Sequence, residues 1–445
     1  MKPLRVTPLD AWMKKRLHTT ADGPPTRAEI ARYQLDRLRE TIAYAREKSP
    51  FYRDRLAAVP DSGLESLEDL HRLPFTTDED IRGHHPEMLC VSQGEVARVV
   101  TLRTSGTTDQ PKRVYFTEED LELTTDFFHH GLTTLARPGA RVMILMPGPA
   151  HGSIGDLLVK GLARMDAEGL VYGPVTNPDH AVETLLRFDA DGLVGIPSQV
   201  LGLTRHPRAR QIPEGRIASV LLSADYAPGP VIRGIGSAWG CEVFDYYGLT
   251  EMGYGGGVEC TAHQGYHLRE ADLLVEIVDP VTGAPLPEGE PGEVVFTTLT
   301  RRAMPLIRYR TGDKARLTTA PCPCGGVTGR LGKVMGRFQE DAVLPGGGVI
   351  NITRLDEEVF EVSGVLNYRP VLEWTGPKAV LSVEVFTNMA FSEDLARDVV
   401  RALTRVPEIR AALDSAGLSL GPVRFSPHDW PTAGAVKRKL VIDRR

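Results

Sequence analysis

The chain has 445 residues, 42% of them hydrophobic and 25% charged, with a formal net charge of -6. That length predicts two or three domains rather than one core, and the mildly acidic balance excludes nucleic-acid binding through a broadly basic face. No apolar run reaches the roughly 18 to 20 residues of a membrane span, the N-terminal MKPLRVTPLDAWMKKRL lacks a signal-peptide core, and five cysteines make no disulfide framework, so a reducing cytoplasm is the expected location.

Apolar residues at three- and four-residue spacing from Ala31 to Leu56 predict an amphipathic helix, ended by the Ser49-Pro50 pair. Between about residues 97 and 300, short apolar runs alternate with helical stretches. RVMILM, GLVYG, GLVGIP, SVLLSA and EVFDYYG read as strands, and HAVETLLRF and PVIRGIGSAWG as helices. That alternation predicts an α/β region with a largely parallel sheet. LLVEIVD and EVVFTTL, joined by the turn PVTGAPLPEGEPG, read as antiparallel strands. A boundary is expected near Arg337, separating a large domain, 1–336, from a small α+β domain, 337–445. In the latter, VLEWTG and LSVEVF alternate as strands and SEDLARDVVRALTRV reads as a helix.

Four stretches carry chemistry. In TLRTSGTTDQPKRVYFT, the hydroxyls of Thr104, Ser105, Thr107 and Thr108 surround Gly106, and Lys112 follows Pro111. Hydroxyls and exposed N–H groups on such a turn can wrap a polyphosphate, although the same residues suit a polar hairpin loop. In VFDYYGLTEMGYGGG, a strand runs into Gly248, Thr250 and Glu251, where a hydroxyl and a carboxylate can hold Mg2+ beside a nucleotide. A strand followed by a capped helix reads equally well. In RRAMPLIRYRTGDKARL, Asp313 can accept from a ribose diol and Arg310 can steady a phosphate. In GRFQED, Arg337 lies beside the expected boundary.

Taken in order with the C-terminal GAVKRK, these stretches resemble the adenylate-forming acyl-CoA synthetase superfamily, most closely its phenylacetate–CoA ligase-like branch. QLDRLRETIAYAREKSPFY and LPFTTDEDIR are similar to that branch's opening helices. The resemblance implies a large adenylation domain with mixed sheets and a small mobile α+β domain. It also implies ATP, Mg2+ and coenzyme A, with an acyl-adenylate formed first and a thioester second. Carried over, Thr104 to Lys112 form the phosphate loop, and Ala224, Asp225, Asp245, Tyr246, Tyr247 and Gly248 line the nucleotide. Thr250 and Glu251 meet phosphate and metal, Asp313 holds the ribose, and Arg337 assists. His151, Pro197, Tyr226 and Tyr246 fall in the acyl pocket, pointing to an aromatic or short polar acid. Delivery to a carrier protein or an amine is the rival to CoA. A noncatalytic nucleotide- and zinc-binding homologue is the rival from another class, and a homodimer is a further expectation.

Three positions depart from the family pattern. Asp109 replaces a glycine of the phosphate loop, and Gln339 takes the acidic hinge position. Ala435 follows Gly434 where a lysine would offset the charge of two meeting anions. Either Lys437 takes over, or the enzyme dispenses with the lysine, or Ala435 is an engineered replacement.

ECTAHQGYH and PCPCGG supply Cys260, His263 or His267, Cys322 and Cys324, a three-thiolate, one-imidazole set suited to structural Zn2+, with His267 preferred. Cys90 and Cys241 read as ordinary buried thiols.

Overall fold

A computed structural model of the chain describes residues 9–18, 23–59, 64–102, 110–389, 392–426, 430 and 438–443. Its elements form two compact units. The first comprises Met1–Gly139, Gly148–Glu168 and Tyr246–Lys333, and the second Ala140–Pro147, Gly169–Asp245 and Val334–Arg445. No described helix is long and apolar enough to cross a membrane.

In the first unit, the expected N-terminal helix is two helices, Arg27–Lys48 and Pro50–Arg55, and Ser49 ends one and caps the other. The apolar spacing continues across the break because Pro50 is tolerated in a first helical turn but not in a helix interior. Gln34 of the long helix donates to the carbonyls of Glu270 and Leu273 at 3.0 and 3.2 Å, and Thr41 to that of Leu299 at 3.0 Å. These bonds hold the helix on a three-stranded antiparallel sheet, Leu273–Val278, Gly292–Thr298 and Tyr309–Ala315. A second antiparallel set begins where Tyr246 and Tyr247 pair with Val258 and Gly257. It continues through Gly257–Glu259, Tyr266–Leu268, Arg330–Leu331 and Leu317–Thr318.

In the second unit, the expected strands run in parallel. Arg141–Ile144, Gly192–Gly195, Ser219–Leu222 and Glu242–Tyr247 are successive neighbours, with Glu168–Val171 at the edge. The central strands Gly192–Gly195 and Ser219–Leu222 are buried on both faces, so they read as unbroken apolar runs. The helices Pro178–Phe188 and Gly229–Trp239 are the two read from the sequence. The residues after Val334 build a four-stranded sheet in which Asn367–Thr375 and Lys378–Phe386 pair antiparallel. Val441–Asp443 and Leu418–Phe425 flank them in parallel. The helix Glu393–Arg405, capped by Ser392, is where the sequence places it.

Arg308 fixes the approach to the strand Tyr309–Ala315. It is 1% exposed, takes a left-handed φ of 48°, forks onto both oxygens of Glu276 at 2.8 and 2.9 Å, and donates to the carbonyls of His71 and Leu73. Its guanidinium also lies 4.0 Å from the Phe75 ring centroid. Arg308→Met leaves Glu276 and two carbonyls without that donor, so it is expected to lower unfolding stability by about 3–5 kcal/mol. Chemical denaturation reads this, and a loss under about 1 kcal/mol contradicts the assigned role.

Candidate active site

Lys112 opens the strand Lys112–Phe116, which pairs with Arg98–Leu102 as an antiparallel hairpin. Its ammonium is buried and meets two carboxylates, Asp78 at 2.5 Å and Glu251 in a short ion pair, with the Tyr309 hydroxyl 3.4 Å away. Tyr309 donates onward to Glu251 at 3.3 Å. Glu251 sits on the single turn Thr250–Met252 that follows the strand ending at Tyr247. Asp78 lies in the first turn of the helix Asp78–His84, which is fixed by a Thr77–Asp80 capping box. Thr76 bonds Arg308 and Arg310 through the backbone and so brings Asp78 to Tyr309.

Burial alone would lower the Lys112 pKa, but the facing Glu251 and Asp78 carboxylates raise it above the ordinary lysine value. Burial pushes Asp78 up, yet Lys112 and Arg82 together hold it below the ordinary carboxylate value. Lys112 and Asp78 are therefore both charged at neutral pH.

Asp313 is buried on the strand Tyr309–Ala315, four residues after Tyr309. It accepts from the Tyr247 hydroxyl at 2.9 Å, and the Tyr247 ring lies tilted against Tyr266. Tyr246, on the other face of the strand, packs between Phe127 and Phe128 with its hydroxyl buried, and burial raises that hydroxyl's pKa. A Cβ on Gly255 would lie 2.1 Å from the Tyr246 oxygen, so only glycine fits there. Arg310, read as a phosphate contact, is committed elsewhere: it forms an ion pair with Glu293 and donates to the Pro280 carbonyl. His151 lies on a turn, is exposed and pairs with Glu118 at 2.8 Å.

In the second unit, Ser219–Leu222 leads into Ser223, then Ala224 with a left-handed φ of 72°, a strained conformation for a residue with a Cβ. Asp225 accepts from Arg438 Nε at 3.0 Å, and the Tyr226 hydroxyl donates to Glu357 at 2.6 Å. Burial, then that carboxylate, raises the Tyr226 pKa. Arg438 also donates to Asp356 at 2.6 Å, which accepts from Tyr368 at 2.6 Å; burial pushes Asp356 up to about 6 despite its cationic partner. Asp245 is buried near the end of its strand, and Pro197 opens the buried helix Pro197–Thr204. Arg337 immediately precedes the turn Phe338–Glu340, on which Gln339 is exposed. Thr104, Ser105, Gly106, Thr107, Thr108, Asp109, Ala435 and Lys437 lie outside the described residues.

The thiol cluster assembles in the first unit. Cys260 follows Gly257–Glu259, His267 lies within Tyr266–Leu268, and Cys322 and Cys324 lie between Leu317–Thr318 and Arg330–Leu331. Cys260 and Cys322 sulfurs are 3.7 Å apart, and Cys324 Sγ is 3.5 Å from His267 Nε2. A tetrahedral zinc with its usual bond lengths has S···S and S···N edges of about 3.8 and 3.5 Å. His267 Nδ1 is paired with the Thr328 hydroxyl at 2.9 Å, which leaves Nε2 turned to the thiols. His263 is exposed and bonds Glu259 instead. Cys90 is buried, and burial pushes its thiol up to about 12; Cys241 is half-buried and pushed up to about 11.

Sequence reasoning missed Asp78, Tyr309, Asp356 and Arg438 as parts of these clusters. The first two stood in quoted motifs, LPFTTDEDIR and YRTGD, but their meeting depends on a contact across more than two hundred residues.

The description "AMP-binding enzyme" covers a family model that matches residues 54–299. Phenylacetate–coenzyme A ligase of Thermus thermophilus is 33% identical over 441 residues, covering 94% of this chain and 97% of the relative. Two structures of 2-hydroxyisobutyryl-CoA ligase share the fold. The postadenylation complex with 2-HIB-AMP has a TM-score of 0.77 at 23% identity, covering 93% of this chain and 90% of that one. The complex with 2-HIB-AMP and CoA has a TM-score of 0.65 at 23% identity, covering 94% and 91%. The chain belongs to the AMP-binding enzyme family, in its phenylacetate–CoA ligase-like branch. It joins a carboxylic acid to coenzyme A through an adenylate, releasing AMP.

Lys112→Met strands two carboxylates and is expected to lower stability by about 3–5 kcal/mol, with part of that loss recovered in Lys112→Met/Glu251→Gln. Asp78's contribution is present above its ordinary value of 3.8 and is lost as pH falls through its lowered one. Lys112's is present below 10.5 and is lost as pH rises through its raised value. Urea denaturation from pH 3 to 11 checks both; stability flat across the acid limb in wild type contradicts the Asp78 assignment.

Proposed function

We propose that the acid is phenylacetate or a close aryl acid, and that the buried Lys112–Glu251–Asp78–Tyr309 cluster is the part of the first unit that faces the phosphates. The cluster itself carries this reading, since a lysine with two carboxylates and a phenol at a strand end is costly to bury unless it serves a polyanion or a metal. The aryl acid is supported by the Thermus relative's name and by Tyr226 and Tyr246.

In the first half-reaction, a carboxylate oxygen of the acid attacks the α-phosphorus of ATP, and pyrophosphate leaves. In the second, the CoA thiol attacks the acyl carbonyl, and AMP leaves with the oxygen that had bridged acyl group and phosphorus. Lys112, with Thr104 to Thr108, binds the departing phosphates. The Asp313 carboxylate accepts from the ribose hydroxyls, Tyr247 flanks the base, and Thr250 and Glu251 orient the triphosphate. Arg337 assists at the boundary between 1–336 and 337–445. Where carboxylate and α-phosphate meet, Ala435 holds the position of the family's lysine, and Lys437, two residues on, is the candidate cation. Mg2+ fits the hard oxygen donors Glu251, Asp78 and Thr250, and when bound it neutralises phosphate charge. Asp225 and Ala224 shape the turn after Ser219–Leu222, and Asp245 and Gly248 lie beside the nucleotide.

A structural zinc held by Cys260, His267, Cys322 and Cys324 belongs to the same proposal, supported by four buried donors at tetrahedral spacing. A cytoplasmic location is supported by cysteines that form no disulfide.

Acid-dependent pyrophosphate release, measured across a panel of aryl and aliphatic acids, is expected to be fastest with phenylacetate or a near analogue. A preference for short aliphatic acids would sink the aryl assignment. Glu251→Gln is expected to lower kcat about 100-fold. Asp313→Ala should raise the KM for ATP about tenfold or more through a lost charge-assisted hydrogen bond. Elemental analysis should find one zinc per chain, lost in Cys322→Ser; a metal-free wild type with full stability rules the zinc out.

A further inference from the structure

The helix Glu118–Leu132 turns two different faces to its surroundings. On the buried face, Phe127 and Phe128 pack against Tyr246 at 6.3 and 6.2 Å, and Thr124 donates to the Gly253 carbonyl at 2.9 Å. On the opposite, half-buried face, Asp126, His129 and His130 bring one carboxylate and two imidazoles together, with donor atoms all within 4.8 Å of one another. The spacing is the cause, since residues three and four apart are neighbours on a helix surface. The two imidazole rings lie 4.6 Å apart, centroid to centroid, and His130 Nε2 is 3.7 Å from Asp126 Oδ1. The adenylating chemistry uses none of these three groups.

A second element builds the cluster into a site. Trp12, on the helix Leu9–Arg16, is 1% exposed and donates its indole Nε1 to Asp126 Oδ2 at 2.7 Å. Its ring lies 6.2 Å from that of His130 and 6.0 Å from that of Phe127. The carboxylate is thereby oriented, with Oδ2 occupied and Oδ1 left to the imidazoles, as an outer hydrogen-bond partner orients a metal ligand. The cations around the cluster have other partners or face solvent. Arg164 is 4.0 Å from Asp126 Oδ1 but pairs with Glu122 at 2.6 Å, Arg16 pairs with Asp272 at 2.7 Å, and Lys15 is exposed.

We propose that Asp126, His129 and His130 form a further metal site, separate from the thiol cluster, that takes a divalent transition ion of the imidazole-seeking class such as Zn2+ or Ni2+. Two nitrogens and one oxygen select against the soft ions that thiolates favour and against the hard ions that need all-oxygen shells. Three protein ligands leave coordination positions open to water, whereas the four-donor thiol set is closed. Neighbouring donors around such an ion stand about 3 to 3.5 Å apart, so the side chains close in by about an ångström, which half-buried rings are free to do. The bound ion links the N-terminal helix, through Trp12 and Asp126, to the helix that seats Tyr246. It therefore stabilises the folded chain increasingly with its concentration.

The test uses full-length protein with Ni2+ as the probe and Mg2+ beside it. Equilibrium dialysis reads the ions bound, tryptophan fluorescence reads Trp12, and thermal unfolding reads the stabilisation. Wild type is expected to bind one Ni2+ per chain that His129→Ala/His130→Ala does not bind. It should lose fluorescence as the site fills and unfold at a higher temperature, while Mg2+ does none of this. Trp12→Phe should abolish the fluorescence response and weaken Ni2+ binding about 10- to 100-fold. His84→Ala/His85→Ala removes another adjacent histidine pair and should leave the ion bound. Equal Ni2+ affinity in wild type and Trp12→Phe means a bare pair of surface histidines only, and overturns the proposal. So does Ni2+ uptake that survives in His129→Ala/His130→Ala. If that double substitution unfolds the chain, wild type and Trp12→Phe decide between them. A quench absent at millimolar Ni2+, or one that persists in Trp12→Phe, overturns the proposal.

Discussion

Burying one ammonium between two carboxylates is the constraint around which the first unit is organised. Lys112 comes from a hairpin, Asp78 from a helix start and Glu251 from a turn after a strand, with Tyr309 from a further sheet touching all of them. Desolvating such charges is recovered only when every partner is in place. The surrounding fold therefore shows rigid supports at each corner. Arg308 is locked to Glu276 below Tyr309, Thr77 caps the Asp78 helix, and Gly255 lets the backbone pass against Tyr246. The cluster is thus a structural joint between hairpin, helix start, turn and sheet.

A further buried ionic group, Asp225–Arg438–Asp356–Tyr368, follows the same logic in the second unit. One guanidinium serves two carboxylates, and burial keeps Asp356 near 6 even so. Its members come from a strand-end turn, a helix, a sheet strand and the residues just before Val441. A single side chain thus sets where the last strand begins. The thiol cluster uses a different device, since its four donors lie on short paired strands and the turn between them, and their spacing matches one small ion.

The sequence motifs, strand alternation and Ser49-Pro50 break were all legible, because each depends on local chemistry or period. Parallel strands announced themselves as unbroken apolar runs, and the antiparallel pair Leu273–Val278 and Gly292–Thr298 by the turn between them. The Cys/His set was visible for the same reason, since metal ligands have few other uses at that density. What stayed hidden was partnership at long range. Nothing local marks Asp78 as the counter-ion of Lys112, or Arg438 as that of Asp225, since ordinary surface lysines, arginines and aspartates have the same neighbours in sequence. Arg310 looked like a phosphate ligand for want of any sign that Glu293 lies opposite.

The central claim is that the acid's own carboxylate attacks the α-phosphorus. Incubating the enzyme with ATP, Mg2+, CoA and phenylacetate labelled with oxygen-18 in both carboxyl positions tests it directly. Mass spectrometry of the released AMP should show one heavy oxygen per molecule, because AMP departs with the oxygen that bridged acyl group and phosphorus. Unlabelled AMP formed alongside the thioester would contradict the adenylate route and, with it, the roles assigned to Lys112, Glu251 and Asp313.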